Sequence, residues 1–214
     1  MPKFAHGFVA LLFASTGAHA ITTLTATLEN SQENPPVGTV STPLLTSTGA
    51  PRPTSFGSAT FVINDPMTSM SFQAVINNID FTGLQTATDV NDNLVSGHIH
   101  APAPRGSNAG VVWGFFGSPL NDNNPNDVVT TPFATGVGGT ISGKWDAPEG
   151  NNTTFAAQLN NILAGLSYIN IHTTQFGGGE IRGQITVVPE PETYALMLAG
   201  LGAGLLARRR RARG

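Results

Sequence analysis

The feature that most restricts the fold of this chain is a series of short segments in which apolar and polar residues alternate. They lie at 21–29 (ITTLTATLE), 58–64 (SATFVIN), 69–77 (SMSFQAVIN), 111–116, 140–145, 167–173 (SYINIHT) and 180–188 (EIRGQITVV). A period of two sends neighbouring side chains to opposite faces of an extended chain, so each segment reads as a strand with one apolar face. Turn-forming Gly, Pro, Asn and Asp separate them. Only 153–164 (TTFAAQLNNILA) has helical spacing, with Phe155, Leu159, Ile162 and Leu163 on one side and Gly165 as its stop. Short strands without long crossover helices predict an all-β fold: an antiparallel, Greek-key-like β-sandwich with one short helix. Three stretches are expected as loops. The proline-rich 32–55 should run over the surface, 121–127 (NDNNPND) is turn chemistry, and 176–179 (FGGG) should close a hairpin between the last two strands.

Both ends carry export features. Lys3, the apolar run 8–13 (FVALLF) and Ala18-His19-Ala20 form the three regions of a secretory signal peptide over 1–20, which removes His6 and His19 from functional consideration. The other end begins with Val188, Pro189, Glu190, Pro191 and Glu192. An apolar run over 193–207 follows, then Arg208, Arg209, Arg210 and Arg211. Fifteen helical residues span roughly 22 Å, short of a ~30 Å hydrocarbon core, so this C-terminal hydrophobic helix reads as a temporary anchor with its arginine stop in the cytoplasm. The three-part tail resembles the PEP-CTERM sorting signal of Gram-negative bacteria. That resemblance implies an exosortase partner, a membrane-embedded transpeptidase-like protease. It would cleave near 189–192 and pass the domain to the periplasm, cell surface or extracellular matrix. The alternative is an ordinary membrane anchor. The division expected is a signal peptide over 1–20, one domain over 21–187 and a sorting segment over 188–214.

Composition narrows the chemistry of the exported part. There is no cysteine, hence no disulfide framework and no thiolate. Between 21 and 188 only Arg52, Arg105, Lys144 and Arg182 are basic against eleven acidic residues, a net charge of about −7. Such a domain is a poor partner for nucleic acid.

Certain segments are more specific. They are Glu33-Asn34-Pro35-Pro36, His98-Ile99-His100, and the closing pair of 168–173 (YINIHT) with 179–185 (GEIRGQI). Together these resemble the CHRD domain family, a domain of chordin and of many exported bacterial proteins, over about 22–187. The residues themselves add a geometric expectation. His98 and His100 share one face of a strand; Tyr168, Asn170 and His172 share one face of the next; Glu180, Arg182 and Gln184 share one face of the last.

If these strands are neighbours, two readings are open. His98, His100 and His172, with Glu180 beside them, could form a copper or zinc site with possible redox activity. Otherwise the same residues form a hydrogen-bonded polar face, including a Glu180–Arg182 pair. Asp89, Asp92, Asp122 and Asp127 are a weaker set of calcium candidates, because Asx turns account for them more simply. Trp113 and Trp145 are expected in the core. No nucleophile motif or phosphate-cradling loop is present. The function expected is a non-catalytic binding or structural module of the envelope, with exopolysaccharide or a surface protein as partner. The metal protein is the competing reading.

Overall fold

The computed structural model describes residues 21–189. All seven alternating segments are strands in it. The elements are β1 (Thr22–Glu29), β2 (Phe56–Ile63), β3 (Met70–Asn77), β4 (Leu94–His100), β5 (Val111–Phe116), β6 (Val129–Pro132), β7 (Gly138–Trp145), α1 (Phe155–Leu163), β8 (Ser167–Thr173) and β9 (Ile181–Val187). Strand β6 escapes a reading by alternation because its four residues are all exposed and pair only with β7.

The strands form one antiparallel sheet in the order β5-β4-β8-β9-β1-β2-β3-β7-β6. The chain crosses from one half of the sheet to the other after β3, after β5 and, through α1, after β7. The sheet curls until its two halves face each other. Trp113 on β5 stacks on Trp145 on β7 with ring centroids 5.5 Å apart and planes 3° apart, and Phe72 on β3 meets Trp113 edge-on at 5.7 Å. The all-β antiparallel architecture with one short helix is therefore as expected. Its two packed layers are halves of a single sheet, continuous through the β9–β1 pairing.

The inner face is apolar throughout. Leu24, Leu28, Phe61, Ile76, Ile99, Ile169, Ile181 and Ile185 are completely buried there, each worth roughly 1.5–3 kcal/mol when removed from water. Helix α1 closes one end. Thr154 caps it by accepting from Ala157 N–H at 3.3 Å, and Phe155 packs edge-on against Trp145.

The outer face divides in two. On β1, β2 and β3 burial alternates with exposure, so the outward side chains meet solvent. On β8 every residue is buried, and on β9 the first five are. Their outward side chains are polar and lie beneath loops. The proline-rich 32–55 stretch, expected on the surface, in fact places Glu33, Leu44, Arg52 and Ser55 in the interior. A buried carboxylate draws it in: Arg52 donates to both oxygens of Glu180, at 2.7 and 2.5 Å.

At the C-terminal boundary, Val188 N–H donates to Thr23 O at 2.8 Å, so pairing extends to the first residue of the sorting segment. The signal peptide, Glu190, Pro191, the 193–207 run and Arg208–Arg211 fall outside the described residues. Among the described residues no helix is long and apolar enough to cross a membrane.

A candidate three-histidine metal centre

Register assembles the outer polar face. Strand β4 pairs directly with β8, and β8 with β9. Across the three strands His100 is opposite Tyr168 and Gln184, His98 is opposite Asn170 and Arg182, and Ser96 is opposite His172. The adjacency on which the sequence reading was conditional is met. His172 sits diagonally across from His98, and the two rings approach to 3.0 Å between His98 Nδ1 and His172 Nε2. One nitrogen from each of His98, His100 and His172 lies within 4.8 Å of the others, and all three residues are buried.

The outer nitrogens settle the tautomers. His98 Nε2 lies 3.1 Å from Ser118 O, His100 Nδ1 lies 3.0 Å from Ala109 O, and His172 Nδ1 lies 3.0 Å from Gly177 O. A carbonyl oxygen only accepts, so each of these nitrogens carries the hydrogen and donates it. The inner nitrogens, His98 Nδ1, His100 Nε2 and His172 Nε2, then present lone pairs. His100 Nε2 has no hydrogen-bond partner among the described residues.

Burial holds all three rings neutral. It depresses His98 to about 4, with help from the neighbouring His172 and His100. It depresses His100 to about 4 against the Ala109 hydrogen bond, and it lowers His172 as well. Neutral imidazoles fixed through the far nitrogen are what a metal ligand set requires.

The rest of the face is framework. Tyr168 stacks parallel to His100, with centroids 4.7 Å apart, and the Arg182 guanidinium lies 3.5 Å from the Tyr168 ring centroid. Arg182 donates to Asn108 Oδ1 at 3.0 Å and to Ser107 O at 2.7 Å, while Gln184 Nε2 donates to Ala103 O and Gly165 O. These bonds tie the 101–110 loop across the strands. The expected Glu180–Arg182 pair does not form. Glu180 precedes β9 and pairs with Arg52, while Arg182 on the strand reaches Asn108 and Ser107. Ser55 and Thr173 hydroxyls also donate to Glu180, so neither of its oxygens is free to join the imidazoles.

The family of the chain follows from this arrangement and its motifs together. The family model of the CHRD domain matches residues 24–185, from the first inward residue of β1 to the inward end of β9. The chain belongs to the CHRD domain family. The PEP-CTERM protein-sorting motif matches residues 187–211, which makes this an exported, exosortase-sorted protein of the Gram-negative type, anchored through its C-terminus before processing. No curated protein and no solved structure matches the chain significantly.

Three things in this CHRD domain were not drawn from its sequence: Arg52 as the partner of Glu180, the carbonyls that orient the rings, and Gly114. A Cβ at Gly114 would collide with the Pro119 carbonyl, so glycine is what lets the 117–121 segment bring Ser118 O to His98. The weaker acidic candidates brace loops. Asp89 accepts from Ser47 and Asn91 N–H, Asp122 from Asp127 and Val128 N–H, Asp127 from Lys144 N–H, and Asp92 from the Thr86 hydroxyl.

Proposed function

We propose that this exported CHRD domain is a metal-binding module whose centre is formed by His98, His100 and His172, with copper or zinc as the ion. The observation that carries the reading is the convergence of three neutral imidazole lone pairs, each ring fixed by a backbone carbonyl at its far nitrogen. Two bare lone pairs 3.0 Å apart repel unless an electrophile lies between them. Ligands at ~2.0–2.1 Å from a tetrahedral ion are spaced about 3.3 Å apart, so the His98–His172 pair needs only a small rotation, and the His100 nitrogen, within 4.8 Å of the others, must close further onto the ion. Nitrogen donors without thiolate or free carboxylate suit copper and zinc and do not suit calcium.

The second reading rests on the same distance, which is also that of a hydrogen bond. A single proton shared by His98 and His172 would make the cluster a structural polar core. The domain would then be a non-catalytic binding or structural module of the envelope, for exopolysaccharide or a surface protein. Metal analysis of the purified exported protein separates the two. The metal reading expects about one copper or zinc per chain, lost in the His98→Ala/His172→Ala double variant. A protein that takes up neither ion from a solution of the free metal sinks it.

A further inference from the structure

A second feature of the polar face lies at the 176–179 turn. A cleft of about 370 Å³ opens there, walled by Glu33, Asn34, Pro35, Asn108, Phe176 and the glycines 177–179. Its volume is at the small end of ligand pockets. Glu33 is 7 % exposed and Asn170 behind it 3 %. Neither Glu33 Oε1 nor Asn170 Oδ1 has a hydrogen-bond partner among the described residues, and Asn170 Nδ2 reaches Gly178 O only at 3.5 Å. A buried polar group left without a partner is costly, so two side by side at the cleft point to a ligand that hydrogen-bonds there.

Gly179 explains how they come together. At φ 126° a Cβ there would stand 2.5 Å from the Asn170 amide nitrogen and 2.7 Å from Glu33 Oε1. Only glycine lets both groups flank the same residue.

The surrounding charges select the ligand. Arg182 holds the Asn108 wall through a 3.0 Å bond and places a fixed positive charge behind it, which disfavours cations. Burial pushes the Glu33 carboxyl up to about 8, against the pull of Arg182 and with some push from Glu180, so it offers no counter-charge near neutrality. Neither a neutral carboxyl nor an amide offers an anion a positive charge, and the Arg182 terminal nitrogens are already engaged by Asn108 and Ser107. What remains is a neutral molecule rich in hydroxyl groups, which donate and accept at once. Phe176 gives an apolar surface for the C–H face of a ring.

We infer that this cleft binds a neutral sugar unit through the Glu33 carboxyl, the Asn108 wall and the 176–179 turn. This is independent of the metal reading, since no histidine lines the cleft. The test is saturation-transfer NMR on the purified exported protein with glucose, galactose, N-acetylglucosamine, glucuronate and ethanolamine. Transfer is expected to at least one neutral sugar and to neither charged compound. Binding should weaken roughly tenfold or more in Glu33→Leu, the equivalent of one lost hydrogen bond, and survive in Glu33→Gln, whose amide still donates and accepts. Where Glu33→Leu does not fold, Phe176→Ala carries the same comparison. No transfer to any of the three neutral sugars, a preference for ethanolamine or glucuronate, or unchanged sugar binding in the variant that loses the contact overturns the inference.

Discussion

One ion pair holds the 32–55 segment down, and Arg52→Met tests it. Glu180 is completely buried and Arg52 nearly so. The guanidinium contributes two bonds to the carboxylate, and its Nε and a terminal nitrogen also donate to Gln175 Oε1 at 3.1 and 3.0 Å. With Arg52 removed, Glu180 retains only the Ser55 and Thr173 hydroxyls and has no opposite charge. Truncating one member of a buried pair costs about 3–5 kcal/mol, far more than the pair is worth against an apolar replacement, because a lone charge is left in low dielectric. For a domain of this size that corresponds to a fall in Tm of roughly 6–20 °C.

Urea unfolding followed through the buried Trp113 and Trp145 gives the free energy directly. The double variant Arg52→Met/Glu180→Gln removes both charges and should recover a large part of the loss, so it ends up more stable than Arg52→Met alone. An Arg52→Met loss below about 1 kcal/mol, or a double variant no better than the single one, would refute a buried pair as the clamp that holds the 32–55 segment down.

Other outcomes follow from particular contacts. In metal-free protein, His98 and His100 titrate near 4, whereas the unfolded chain takes up the same protons near 6.5; stability therefore falls as pH drops through that window, by up to about 2.7 kcal/mol per unit. Glu33 acts in the opposite sense: its native carboxyl stays protonated to about 8 while the unfolded one ionises at 4.5, so stability falls as pH rises between those values. Urea midpoints measured from pH 4 to 8 should show Glu33→Gln removing that second slope, by about 1.4 kcal/mol per unit. Gly114→Ala should displace Ser118 O from His98 and weaken copper or zinc binding about 10- to 100-fold in a chelator competition. Trp145→Ala, which breaks the stack between the sheet halves, should cost roughly 3–5 kcal/mol in the same urea assay.

Alternation made most of the sheet legible. The inner face is uniformly apolar, and hydrophobic burial depends only on which residues share a face. The face shared by Tyr168, Asn170 and His172 was equally legible, as was that shared by Arg182 and Gln184, whereas Glu180, expected with them, precedes β9 and turns to Arg52. What alternation does not carry is strand order. That β4 lies against β8 is a long-range pairing, and no local spacing specifies it. The covering loops were harder still, because a proline-rich segment reads as surface unless some side chain in it has a buried partner. Arg52 was such a signal. It is one of four basic residues in the exported part, and Glu180, fully buried just ahead of β9, required a cation. Backbone carbonyls such as Ser118 O leave no trace in residue type, so the orientation of the rings could be read only in three dimensions.

Charge is handled separately in these parts. A carboxylate within reach of an imidazole favours the imidazolium, and an imidazolium has no lone pair to give a metal. Glu180 precedes β9 and is not among the groups that gather at the rings. Arg52, Ser55 and Thr173 occupy it, and carbonyls, which bear no net charge, take the outer N–H groups of the rings. The rings therefore feel burial more than any anion and remain neutral, as their depressed values record. The ion pair fastens the loop, and the ligand set is held separately by its carbonyls. Arg52→Met should therefore lower stability and leave the three rings neutral.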